Sequence, residues 1–157
     1  MSRSAVCLLF SSLLAACSLL TGPSAGDRLD EARTRWARVG PINYEYEVRW
    51  VCFCGGPVGR WIAVSVRNDL VTRARYVDTG LDVESESFSE IPTIPGLFDQ
   101  VANIIENDPY QLEVQYDPDD GHPIMLTVGR IQNAVDDEYS FQSRNLQGIA
   151  DLLERAR

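Results

Sequence analysis

The chain reads as an α+β domain, an antiparallel β-sheet packed with helices in the order α-β-β-β-α-β-β-β-α. Two observations predict this. The spacing of apolar residues switches repeatedly between a period near 3.6 and a period of 2. Turn-forming residues at hairpin length separate successive alternating runs, so neighbouring strands should pair antiparallel with helices packed on one face. Once a targeting segment is set aside, about 130 residues remain, enough for one domain with a single core.

The first helix is expected from Asp27, as its cap, to about Val39. Leu29, Ala32, Trp36 and Val39 form its apolar stripe, and Gly40-Pro41 ends it. The clearest strand follows. Ile42, Tyr44, Tyr46, Val48, Trp50, Cys52 and Cys54 alternate with Asn43, Glu45, Glu47 and Arg49, until Val51 and Phe53 break the polar side. Gly55-Gly56-Pro57 turns the chain. Trp61 to Arg67 alternates again with Ile62, Val64 and Val66 inward, and Asn68-Asp69 leads into a third strand, Leu70 to Val77. Residues 78–92 are acidic and serine-rich and read as a mobile loop.

Thr93 caps the second helix, with Pro95 in its first turn. Ile94, Leu97, Phe98, Val101, Ile104 and Ile105 fall at helical spacing, and Asn107-Asp108-Pro109 stops the helix. Leu112, Val114 and Tyr116 mark a fourth strand, and Asp117-Pro118-Asp119-Asp120-Gly121 is a hairpin loop rich in turn formers. Ile124, Leu126 and Val128 mark the fifth strand, and Glu138 to Ser143 a weaker sixth. Leu146, Ile149, Leu152 and Leu153 suggest a closing helix. Trp36, Tyr46, Val48, Val64, Leu97, Phe98, Val101, Val114 and Leu126 should be buried.

The domain is preceded by an address. Arg3 is the only charge before Asp27, and a short apolar run from Ala5 to Leu14 ends in Leu14-Ala15-Ala16-Cys17. The run is far shorter than the roughly 20 residues of a membrane span. A positive start, a short apolar stretch and small residues before a cysteine make a lipoprotein signal peptide, residues 1–16. Cys17 would then carry palmitate-class acyl chains and open a short linker, residues 17–26, ahead of a single domain over 27–157. The expected location is outside the cytoplasm, lipid-anchored to the cell membrane or outer membrane. Two or more acyl chains anchor stably where one holds only marginally.

Charge narrows the partners. The whole chain carries 14 basic and 23 acidic side chains, net -9; losing Arg3 with the leader makes the mature chain -10. Every basic residue is arginine. Such an acidic surface disfavours nucleic acid, whose binding rests on cationic contacts to phosphate. It also repels anionic lipid, which leaves the lipid on Cys17 as the means of holding the membrane.

Chemistry-bearing residues are few. Cys52 and Cys54 keep free sulfur chemistry in an oxidising compartment. On a regular strand their alpha carbons would stand about 6.6 Å apart, near the upper limit for a disulfide. A bridge therefore needs a local bend, which Gly55 and Gly56 permit, and the tiny loop limits its worth to about 1.5 kcal/mol. A redox pair and unbridged or metal-bound thiols are the alternatives. Two thiols alone make no zinc site; His122 and Asp119 would complete one only if the second hairpin folded against the first. His122, the only histidine, lies in a turn with no nucleophile motif beside it. Asp117, Asp119 and Asp120 lack the alternation and following glutamate of an EF-hand loop. Tyr44, Tyr46, Trp50, Tyr116 and His122 are the candidates for an aromatic binding surface, although inward aromatic stripes commonly build core. No catalytic set, metal cluster or cofactor loop is assigned.

Several landmarks together resemble an uncharacterised family of secreted and lipid-anchored bacterial proteins, domain of unknown function number 6174. They are Trp36, Tyr44-x-Tyr46, Cys52-x-Cys54, Thr93 with Leu97-Phe98, and Tyr116-Asp117 with Gly121-x-Pro123, spread over most of residues 30–143. Where this chain has His122, similar proteins more often carry tyrosine. The resemblance implies export and a single domain, and supplies no activity. The expected role is a non-catalytic binding or scaffolding module of the cell envelope, engaging an envelope protein or ligand. The rival is an enzyme: a thiol oxidoreductase using Cys52 and Cys54, or a hydrolase using His122.

Overall fold

The computed structural model describes residues 22–51, 59–129 and 138–149. Helix α1 spans Ala25–Val39 and is followed by strands β1 (Tyr44–Val51), β2 (Ile62–Arg67) and β3 (Leu70–Tyr76). A short 3-10 helix at Ser85–Glu90 leads to helix α2 (Ile94–Glu106), and β4 (Gln111–Tyr116), β5 (Pro123–Gly129) and β6 (Glu138–Gly148) complete the order. The six strands form one sheet, β3-β2-β1-β6-β5-β4, with every pair antiparallel. Two three-strand meanders are thus joined through their first and last strands, β1 against β6. The expected α+β class and strand count hold. No helix among the described residues is long and apolar enough to cross a membrane.

Strand alternation sets the two faces. Tyr44, Tyr46 and Val48 of β1, Ile62, Val64 and Val66 of β2, and Ala74 of β3 are buried, as are Val114, Leu126, Val128 and Phe141 of the other meander. Against them pack Leu29 and Ala32 of α1 and Ile94, Leu97, Phe98 and Val101 of α2. The residues between, Glu45, Glu47, Ala63, Ser65, Arg73 and Arg75, belong to the opposite face. Side-chain period 2 on strands and one apolar stripe per helix therefore leave one sheet face without a helix among the described residues.

Local chemistry fixes the elements. Asn68 and Asp69 both adopt positive φ, 47° and 63°, the two left-handed residues that a tight hairpin between β2 and β3 requires. Thr93 caps α2, its hydroxyl accepting the Gly96 N–H at 3.3 Å, with Pro95 at the helix start. Two tyrosines of β1 hold that same helix start: the Ile94 N–H donates to the Tyr44 hydroxyl at 2.8 Å, and the Tyr46 hydroxyl donates to the Pro92 carbonyl. Ile94 opens α2, so its N–H has no partner within the helix, and Tyr44 supplies one.

Several expectations need correction. Asp27 is not the cap of α1. Ser24 is, in a reciprocal capping box: its hydroxyl accepts the Asp27 N–H at 3.1 Å and its N–H donates to the Asp27 carboxylate at 2.9 Å. The Ser24 hydroxyl, which donates to the Asp27 carboxylate at 2.7 Å, and the Ser24 N–H hold that carboxyl below its usual range, and ordered structure reaches into the expected linker. Val39 and Ile42 are 53% and 74% exposed because the chain crosses the surface there and pairing starts only at Tyr44. Trp36 is half-buried, set edge-on to Tyr44 at 5.6 Å.

The segment expected as a mobile loop instead covers the free edge of β3. The Val83 N–H donates to the Ala74 carbonyl at 3.0 Å, the Tyr76 N–H to the Leu81 carbonyl at 2.9 Å, and Val83 and Ile91 are buried. The apolar residues Val83 and Ile91, with Phe88 packed beside the core, outweigh the acidic composition. The closing helix does not begin at Leu146. β6 stays paired to β1 as far as Gly148, because Asn145 takes a φ of 56° opposite a break in register between Glu45 and Glu47, a bulge that keeps Leu146 on the core. The rest of that helix falls outside the described residues.

Candidate functional site

On the sheet face that no described helix covers, β1, β2 and β3 carry charges ordered in rows. Register places Glu45, Ser65 and Arg73 in one row across the three strands, and Glu47, Ala63 and Arg75 in the next. β1 and β3 lie two strand spacings apart, about 10 Å. The central strand contributes only small side chains to these rows. The result is a shallow groove with a volume near 440 Å³, its floor Ala63 and Ser65, one wall acidic and the other basic.

Glutamate and arginine side chains are long enough to meet across such a floor, but here each turns elsewhere. Glu45 accepts from the Ser65 hydroxyl at 2.9 Å. Glu47 accepts from the Arg144 guanidinium of β6 at 2.7 Å. Arg73 and Arg75 both lean outward to Asp82, at 3.6 and 3.8 Å, beyond the β3 edge. These are loose, exposed pairs of little energetic weight. Beside the groove, two guanidiniums lie over the Trp61 ring, Arg144 at 3.9 Å and Arg49 at 4.8 Å from its centre. Arg49 is held by Gln142 through contacts of 2.7 and 3.0 Å. At the far end Arg60 stacks over Tyr76 and pairs with Asp78 at 2.6 Å, a bond that draws the Asp78 carboxyl below its ordinary value and raises the guanidinium.

The residues named from sequence lie elsewhere. Tyr44 and Tyr46 are core, 2% and 1% exposed, and burial pushes both phenols well above their ordinary pKa. Trp50 is half-buried against the core. Tyr116 stacks on Phe98 at 6.3 Å; its hydroxyl is buried without a hydrogen-bond partner among the described residues, and burial raises it to about 12. Cys17, Cys52 and Cys54 lie outside the described residues.

His122 is 5% exposed and belongs to a lock that holds the β4–β5 turn onto α1. Its Nδ1 lies 2.5 Å from the Asp120 carboxylate, which also accepts its backbone N–H at 2.9 Å. Burial pushes the Asp120 carboxyl up, but these two bonds together hold it below its ordinary value. Asp117 accepts the N–H groups of Asp119 and Asp120 at 2.8 and 3.3 Å. The imidazole meets the Trp36 indole edge-on at 6.4 Å, and Arg35 donates to the Pro118 carbonyl at 2.8 Å. Gly121, at φ 85°, sits so close to α1 that a Cβ there would lie 2.5 Å from the Ala32 carbonyl oxygen. Asp117, Asp120 and His122 could offer a metal three ligand atoms within 4.8 Å of one another. The two carboxylates, however, already accept bonds from within the turn. A chain of rings does connect His122 to Tyr44 and Tyr46, through Trp36 at 6.4 and 5.6 Å and then Tyr44 to Tyr46 at 5.8 Å, but His122 and both tyrosines are buried and only Trp36 is half-buried, so the chain is core packing and not an open aromatic surface.

Sequence reasoning noticed Glu45, Glu47 and Arg49 only as the polar side of β1. The usable signal was a pair of acidic positions on one strand and a pair of basic positions two strands on, with Ala63 and Ser65 between.

The landmarks that suggested a family have physical roles here. Tyr44 and Tyr46 pin α2, Thr93 caps it, Leu97 and Phe98 bury it, and Asp117 with Gly121 shapes the turn that Trp36 packs against. Neither a curated protein nor a solved structure matches the chain. One family model does, over residues 28–148, the span that holds both meanders and both helices, and the chain belongs to that family, described as a family of unknown function, DUF6174.

Proposed function

We propose that this protein is a lipid-anchored, non-catalytic binding module of the bacterial cell envelope, and that it engages its partner through the helix-free face of its sheet. The observation that carries the reading is the groove over Ala63 and Ser65, where Glu45 is engaged by the Ser65 hydroxyl of the floor, Glu47 by Arg144, and Arg73 and Arg75 by Asp82 beyond the β3 edge, so that the acidic and basic walls do not pair with each other. Side chains free to collapse onto one another are instead presented to solvent across a floor of small residues. The anchor is supported by Leu14-Ala15-Ala16-Cys17, and the six residues between Cys17 and the Ser24 cap span only about 20 Å at full extension, which keeps the domain near the membrane. There a modest affinity suffices, because membrane-bound partners are locally concentrated.

His122 counts toward structure rather than hydrolysis, since its buried ring is committed to Asp120 and Trp36. The test is crosslinking in the native envelope followed by mass spectrometry, repeated with Cys52→Ser, Cys54→Ser and His122→Ala. A reproducible partner whose capture tracks only the folded fraction of each variant supports binding. Turnover of a substrate that is lost in one of these variants while the fold stays intact would replace this reading with the thiol or hydrolase alternative.

A further inference from the structure

The charges around the groove do not cancel locally, and the imbalance specifies a ligand. On the β1 wall, Arg144 offsets Glu47, while Glu45 is engaged only by the Ser65 hydroxyl and has no guanidinium at ion-pair distance among the described residues. That wall is left with one negative charge. On the β3 wall, Arg73 and Arg75 share the single carboxylate of Asp82, at 3.6 and 3.8 Å. That wall is left with one positive charge. Glu45 and Arg73 stand in the same cross-strand row, with Ser65 between them.

Building on the reading that this face is the binding surface, we propose that the groove takes a short peptide with free ends. The terminal ammonium sits at Glu45 and the terminal carboxylate at Arg73 and Arg75. Length supports this occupant. Two or three extended residues span about 7–10 Å, comparable to the roughly 10 Å between β1 and β3. Chemistry supports it as well. A carboxylate can accept a forked pair of bonds from a guanidinium, and an ammonium can donate to Glu45 without disturbing the Glu47–Arg144 pair. The floor of Ala63 and Ser65 leaves room for small side chains above β2. A purely anionic ligand would meet Glu45, and a purely cationic one would meet the paired arginines, so a separated zwitterion fits both walls.

The test uses the mature lipidated chain, nitrogen-15 labelled and held in detergent, titrated with trialanine, N-acetyl-trialanine and trialanine amide. Saturable shifts of the Glu45, Ser65 and Arg73 amides with trialanine are expected, and either blocked peptide should bind about tenfold more weakly or worse. Glu45→Gln should abolish the discrimination against the acetylated peptide and leave that against the amide. The double variant Arg73→Gln, Arg75→Gln should do the reverse. All three positions are at the surface, and unchanged amide shifts in α2 and β5 confirm that the fold persists. Absence of saturable shifts, or equal binding of free and blocked peptides, overturns the proposal. If that happens while envelope crosslinks still form on this face, the binding reading stands and only the peptide assignment falls; peptide binding with no partner in the envelope would separate the two in the opposite sense.

Discussion

Removing one oxygen atom from Tyr44 should cost more than its size suggests. The hydroxyl accepts the Ile94 N–H at 2.8 Å, and the side chain is 2% exposed. Tyr44→Phe preserves the ring and its edge contact with Trp36, so packing is nearly unchanged. The Ile94 N–H opens α2, has no acceptor within the helix, and Ile94 itself is fully buried. Water cannot easily replace the lost oxygen. Leaving a buried donor unsatisfied costs about 1–3 kcal/mol. Tyr46→Phe should cost less, about 1 kcal/mol, because it frees the Pro92 carbonyl, and unsatisfied carbonyls are tolerated better than unsatisfied N–H groups. The double variant should cost less than the sum, since both hydroxyls hold the same turn into α2. The assay is urea unfolding of the purified domain, followed by circular dichroism. A lower midpoint with unchanged slope is expected for each variant. If Tyr44→Phe stayed within about 0.5 kcal/mol of the parent, the claim that this bond pins α2 would fail.

Three other outcomes follow. Gly121→Ala should destabilise the domain by at least about 2 kcal/mol, through the positive φ and the clash with the Ala32 carbonyl, whereas alanine at Gly80, also at positive φ but with nothing within 4 Å among the described residues, should cost clearly less in the same unfolding assay. Asp120 should contribute a pH-dependent term: its folded pKa lies below the ordinary 3.8, so its stabilisation is complete above that value and is lost as pH falls through the folded pKa, and Asp120→Asn should flatten stability against pH in that acid window. Cys17→Ala should abolish incorporation of labelled palmitate and release the protein from membranes, and an unmodified Cys17 at the mature N-terminus by mass spectrometry would refute the anchor.

Much of the fold was legible because single residues and short periods carry it. The Asn68-Asp69 turn, the Thr93 cap with Pro95, and the alternation of Tyr44, Tyr46 and Val48 each depend on neighbours in sequence, and each is found in the structure. The failures have two causes, distance along the chain and misleading local composition. The pairing of β1 with β6, the bulge at Asn145 and the length of β6 depend on residues about a hundred positions apart, and local spacing at Leu146 fits a strand as well as a helix. Ser24 was hidden in a stretch whose composition reads as linker, although Ser24-x-x-Asp27 is a capping pattern. Asp82 and Val83 were hidden by the acidic residues around them, yet they close the β3 edge. The groove was the least legible feature of all. Glu45, Ser65 and Arg73 become a row only when three strands are placed in register, which no window of the sequence contains.

Site-resolved photocrosslinking in living cells tests the central claim most directly. The chain has no lysine, so lysine-directed reagents would miss the domain, and a photoreactive residue must be placed instead. It should be installed one position at a time at Ser65, Thr127 and Gln142 on the helix-free face, and at Thr34, Asp99 and Asn103 on the helices. A discrete adduct from the first set, strongest at Ser65 and weakened by Glu45→Gln or Arg73→Gln, is the expected result. Adducts confined to the helix positions, or equal from both sets, would contradict the assignment of the open sheet face as the binding surface.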